Sequence, residues 1–180
     1  MKIFSQYKDL PKRVYILCGA RIITAMGMLI FSFTSLILTS ILGFSQVTAA
    51  YVLMIGSISG ILGALIFGRL ADYYGRKKVL LSIMTIGTIN LFIGGLICYT
   101  PYIIGVIIIT NCIFSGILPI IAAMITDWSN KDNRSECFSF LYLCTNVGYA
   151  IGQILAGILF SNHYPLIFWG QGLGWFLTAL

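Results

Sequence analysis

The chain has 11 Lys and Arg and 5 Asp and Glu in 180 residues, and all but one of them fall in three short clusters. Lys2, Lys8, Asp9, Lys12 and Arg13 precede the first long apolar run. Arg69, Asp72, Arg76, Lys77 and Lys78 form the second cluster, and Asp127, Lys131, Asp132, Arg134 and Glu136 the third. Between the clusters lie long apolar runs whose one ionic side chain is Arg21. Charged residues make up 9% of the chain, against about 25% in soluble domains, so the medium facing those runs is lipid. Backbone groups in lipid must be satisfied internally, which leaves helices or closed barrels. The period-two alternation of a membrane barrel is missing, and the sequence predicts an all-α integral membrane protein.

A membrane helix needs about 20 mostly apolar residues. Six runs qualify: 14–38, 51–67, 79–98, 102–126, 137–160 and 165–180. They make residues 14–180 one membrane domain after a polar segment, 1–13. The sixth run is cut off at Leu180, so the sixth helix is expected to be truncated. The first run is longer than a signal-peptide core and has no small-residue cleavage site, so it reads as a retained span. Basic residues collect on the cytoplasmic side, which predicts a cytoplasmic N-terminus and cytoplasmic second and third clusters. The net charge of +6 is then topological, and a nucleic-acid partner, which would need one continuous basic face, is not expected. Cys18, Cys98, Cys112, Cys137 and Cys144 fall mostly inside apolar runs without a Cys-x-x-Cys pair, so they read as packing residues rather than metal ligands or disulfides. No metal or other cofactor is expected.

The segment Gly68-Arg69-Leu70-Ala71-Asp72-Tyr73-Tyr74-Gly75-Arg76-Lys77-Lys78 joins the second and third runs. Physically it is a tight inner loop. Gly68 would let the second span end and approach a neighbour, Asp72 is an acid among cations, and Gly75 permits a sharp turn. Its order, G-R-L-A-D-x-x-G-R-K-K, resembles the signature loop of the major facilitator superfamily. That resemblance implies a six-helix N-terminal bundle of the major facilitator fold, one half of a twelve-span transporter. It also implies that Asp72, Arg76 and an acid ending the fourth span, Asp127, form a charge cluster. With Gly68 and Gly75, the cluster would latch the two halves in the outward-open state. Without the resemblance, Asp127 is an interfacial charge that a helix end tolerates.

In the fifth span, Gly148, Gly152 and Ala156 recur every fourth residue, followed by Gly157. Such small-residue stripes let membrane helices pack closely, and Gly56 and Gly60 in the second span have the same reading. The fifth-span segment resembles the glycine motif of drug and peptide exporters in the superfamily, with Gln153 where proline is usual.

Arg21 lies eight residues beyond Arg13, about 12 Å into the first span. It either faces a wet cavity, pairs with an acid such as Asp127, or snorkels to the inner headgroups. Asn146, bulky and polar just before the glycine stripe, is the second candidate for a cavity. Asn90, Thr110, Asn111, Ser115, Thr145 and Gln171 read as helix–helix hydrogen-bonding residues, and Pro119 as a kink. Cys112 stands where many proton-coupled exporters carry an arginine, and no acid lies deep in any span. A phosphate loop, zinc site or hydrolytic triad is not recognisable, so an enzyme is not expected.

The expected function is secondary active transport of a small solute by alternating access, leaning toward efflux of amphipathic compounds or drugs. The partners implied are the solute, the lipid bilayer, and a missing C-terminal six-helix half or a second copy. The expected location is a plasma membrane, of the bacterial inner-membrane type. The rival expectation is a non-transporting remnant or partner-binding module of the same fold.

Overall fold

The computed structural model describes Tyr7 and residues 10–179. Most of the polar N-terminal segment, with Lys2, Lys8 and Asp9, and the terminal Leu180 lie outside the described residues. The described chain is helical throughout: α1 (Lys12–Met26), α2 (Leu29–Leu36) running into one π-helical turn (Ile37–Ile41), α3 (Gln46–Tyr74), α4 (Arg76–Ile97), α5 (Ile103–Trp128), α6 (Arg134–Asn162) and α7 (Pro165–Ala179). Five stretches are long and apolar enough to cross a membrane, with α1 and α2 together counting as one. The described part of α7 has 15 residues, about 22 Å of helix, shorter than a hydrocarbon core of about 30 Å.

The first span is two helices. The chain turns at Gly27 and Met28, where the N–H of Gly27 still reaches the Ile23 carbonyl at 3.1 Å. The second piece opens with backbone donors that have no helical partner. One of them, the N–H of Ile30, donates to Gln171 Oε1 of α7 at 3.3 Å. Gln171 is 2% exposed, so the break is supported from inside the protein, the one setting in which a membrane helix tolerates one.

The second span is longer than its apolar run. Ser45 caps α3 by accepting from the N–H of Thr48 at 3.1 Å, which starts the helix five residues earlier than predicted. At the far end α3 does not stop at Gly68. It continues to Tyr74, and no atom lies within 4 Å of where a Gly68 Cβ would stand. A glycine within a helix costs about 1 kcal/mol, too little to end one whose neighbours pack. The turn is made by Gly75 alone, at φ 98°, a conformation that side chains rarely adopt.

The spans pack in pairs: α3 on α5, α4 on α7, and α1 on α6. Counting α1 and α2 as one span, the pairs are two with four, three with six, and one with five. Exchanging the first three spans for the last three leaves this pattern unchanged, as internal repeats of three helices require. Two kinds of contact hold the pairs. In α3–α5, a Cβ on Gly60 would stand 2.6 Å from Ser115 Oγ, and one on Gly63 would collide with the Cys112 carbonyl. In α4–α7, Gly87 and Gly94 leave notches filled by the Trp175 and Phe168 rings, both fully buried. Where the apolar medium gives helices no hydrophobic reason to associate, this close fit holds them.

Candidate functional site

Two groups of charge stand out, one at the ends of the helices and one within them. The first is built at the Gly75 turn. Asp72 is in the last turn of α3, Arg76 is the first residue of α4, and Asp127 is in the last turn of α5. Arg76 Nη1 is paired with Asp127 Oδ2, its Nε lies 3.7 Å from Asp72 Oδ1, and Nη1 also donates to the Ala123 carbonyl. Each of the three charges is at the end of its own helix where the helix dipole disfavours it. The arginine and the two acids compensate one another: Arg76 sits against the C-terminal turns of α3 and α5. Side-chain exposure of 29% for Arg76 and 54% for Asp127 makes this a wet cluster, and exposed pairs contribute about 0–1 kcal/mol. Its geometry ties the ends of three helices together without adding much to stability. Arg134 is not part of it and instead donates to Ser129 Oγ and the Thr126 carbonyl, each at 3.3 Å.

The second group surrounds Arg21. This side chain is 0% exposed. Its Nε donates to Thr145 Oγ1 and its Nη2 to Tyr149 Oη, each at 3.2 Å. Its guanidinium carbon lies 5.7 Å from the Phe114 ring centre and 5.9 Å from that of Tyr149, within the range of cation–π attraction. Its Nη1 has no hydrogen-bond partner, and among the described residues no acid forms an ion pair with it. The prediction of a pairing with Asp127 is therefore corrected, since that acid belongs to Arg76. Snorkelling is corrected as well, because hydroxyls and rings hold the guanidinium inside the bundle.

Arg21 lines a cavity of ≈ 450 Å³ between α1, α5 and α6. Leu118, Pro119 and Ala122 contribute from α5, which runs through Pro119 as one continuous helix. Phe138, Leu141, Tyr142, Thr145, Asn146 and Tyr149 contribute from α6. Asn146 lines the cavity and donates to the Tyr142 carbonyl of its own helix at 2.9 Å. The size is within the range of small-molecule sites, and so is the mixture of apolar wall and a few polar groups.

The glycine stripe of α6 builds this cavity. A Cβ on Gly148 would stand 2.6 Å from the Ile22 carbonyl, and one on Gly152 2.5 Å from that of Met26. That close approach of α6 to α1 brings Thr145 and Tyr149 within reach of Arg21. Two further glycines expected to pack, Gly56 of α3 and Gly157 of α6, separate in outcome. Gly56 packs on α5 with Asn111 Nδ2 3.4 Å from a Cβ position, whereas Gly157 has nothing within 4 Å. Gly157 is exposed, and fully buried Ala156 takes the packing position. The reason is the helical period: Gly152 leads to Ala156 on the same face, and the next residue points about 100° away.

The sequence reading did not single out Tyr149 or Phe114, and it gave Thr145 only a general packing role. Thr145 and Tyr149 stand four apart around Gly148, so they share one face of α6. That spacing was readable, but its relation to Arg21 was not.

The chain belongs to the major facilitator superfamily, whose family model matches residues 16–180. It is thus a multi-pass membrane protein of a family that carries small solutes across lipid bilayers, and not of an enzyme family. It is 25% identical to the uncharacterized MFS-type transporter YdeE of Escherichia coli over 119 residues, 66% of this chain and 30% of that protein. It is 26% identical to the efflux pump azaK of Aspergillus niger over 172 residues, 85% of this chain and 35% of the pump. It is 27% identical to the gallate transporter of Pseudomonas putida over 122 residues, 67% of this chain and 27% of that protein. The chain spans about a third of the length of these relatives.

Proposed function

We propose that this chain is the first six-helix half of a secondary transporter that moves small amphipathic solutes by alternating access, in the direction of efflux. The observation that carries this reading is the cavity between α1, α5 and α6. In internally repeated transporters the solute site lies where the repeats meet, and α1 and α5 open the two three-span repeats here. The cavity holds a buried cation, an exposed amide and an apolar wall, a set that suits an amphipathic solute. A second bundle, from a C-terminal half or a second copy, would supply the opposite wall.

The Asp72–Arg76–Asp127 cluster is the latch in this reading. It ties three helix ends with exposed ion pairs, weak enough to break in each cycle, and Gly75 is the hinge. Efflux is supported by the resemblance of the α6 glycine stripe to exporter motifs and by the similarity to an efflux pump of Aspergillus niger. The charge distribution favours a cytoplasmic N-terminus and a plasma membrane, of the bacterial inner-membrane type. Asn133-Arg134-Ser135 would then face the cytoplasm.

The test is dye efflux or counterflow in vesicles carrying the intact gene product, with Asp127→Asn and Asp72→Asn beside it. Wild-type protein should move solute, and Asp127→Asn should slow it with unchanged expression. Wild-type rates in both variants would remove the latch from the mechanism. A cysteine-labelling experiment across Arg76–Lys78 checks orientation, and reaction from outside intact cells would reverse it.

A further inference from the structure

We infer that the solute is an organic anion, a small carboxylate with an apolar body, and that Arg21 is the residue that binds its acid group. The inference rests on the transport reading above and names the chemistry of its cavity.

A guanidinium offers five N–H donors. At Arg21 the Nε donor is used by Thr145 and one Nη2 donor by Tyr149. Both Nη1 hydrogens and the second Nη2 hydrogen are left, and the described residues provide no acceptor for Nη1. The residue is 0% exposed, so water does not replace the missing partners from the surface. A buried charge without a counter-ion costs several kcal/mol, and the two flanking rings offset only part of that. The side chain is also held in place by two hydroxyls and two rings, which spend none of its charge on a carboxylate. Contrast Arg76, which has two.

The free donors are the pair at the end of the fork, Nη1 and Nη2. That edge accepts a carboxylate through two parallel hydrogen bonds, the geometry in which arginine binds acids best. Arg21 lines the cavity. Its free edge is buried as the structure stands, so binding requires a small shift of the side chain toward the cavity, whose other walls fix the rest of the solute. Leu118, Pro119 and Phe138 give an apolar wall, and ≈ 450 Å³ holds one ring or a short alkyl chain. An amphipathic cation would face an uncompensated positive charge there, and a neutral solute would leave it unpaired.

The test uses matched acid and amide pairs, benzoate with benzamide and hexanoate with hexanamide, against the purified intact protein in detergent. Binding is read from the thermal unfolding midpoint, and transport from exchange of the labelled compounds in proteoliposomes. The acids should raise the midpoint and their amides should not. Arg21→Gln should weaken acid binding about tenfold to a hundredfold and leave a monodisperse protein. Arg21→Lys, which keeps the charge and loses the fork, should retain part of it and decides the matter if the Gln variant does not fold. Acids that bind no better than amides, or that bind Arg21→Lys as they bind wild type, overturn the inference. Acid binding without any exchange leaves the inference standing and removes the transport reading. Exchange of amides in preference to acids does the reverse.

Discussion

Arg76 and Arg21 are the same side chain in two opposite settings. Arg76 sits at a helix end, partly in water, and holds two carboxylates. Arg21, on α1, is buried against α5 and α6 and pairs with no carboxylate among the described residues. The comparison separates two uses of charge at a membrane. Where water is near, an ion pair contributes little energy and can be made and broken, which suits a latch. Where water is excluded, a charge left without its counter-ion reads as a place for one to arrive. Neither use is visible from the residue alone, because the difference lies in the neighbours.

The largest effect that would break the comparison comes from Arg21. Replacing it with Gln should cost about tenfold to a hundredfold in exchange of a carboxylate solute, with the purified variant still monodisperse on size exclusion. Next are the glycines that hold its neighbours in place. Gly152→Ala puts a Cβ 2.5 Å from the Met26 carbonyl, and overpacking of this kind costs about 1–3 kcal/mol. A lowered unfolding midpoint, with weaker acid binding, should follow because α6 moves off α1. Gln171→Leu leaves the N–H of Ile30 without its acceptor, a loss of about 1–3 kcal/mol that is again measured by thermal unfolding. The proposed latch should be nearly silent in that assay. Asp127→Asn should change stability by less than about 1 kcal/mol while slowing transport. Smallest is Gly157→Ala, where open space allows a shift within about 0.5 kcal/mol; a fall as large as that of Gly152→Ala would mean that the stripe runs through Gly157 after all.

The parts legible in the sequence were those set by local chemistry. Apolar runs between charge clusters marked the long helices, because a bilayer confines nearly every ionic group to its edge, Arg21 being the exception. The charge cluster was legible because Asp72, Gly75 and Arg76 lie within five positions of one another, and the structure brings Asp127 to them. What was not legible depended on the register between helices. The Gly27 break rests on Gln171, which is 141 positions from Ile30. The partners of Arg21 are 124 and 128 positions away, and nothing in α1 announces them. Gly157 and Gly68 were misassigned because a small residue marks where a helix could be approached, not where it is.

The central claim is that these two arginines do different work, and one paired measurement bears on it directly. Exchange of benzoate and benzamide is followed side by side in wild type, Arg21→Gln and Asp127→Asn. The account predicts that Asp127→Asn slows exchange while the preference for the acid stays as in wild type, and that Arg21→Gln erases the preference. A preference that survives the loss of Arg21, or that disappears with Asp127, would contradict it.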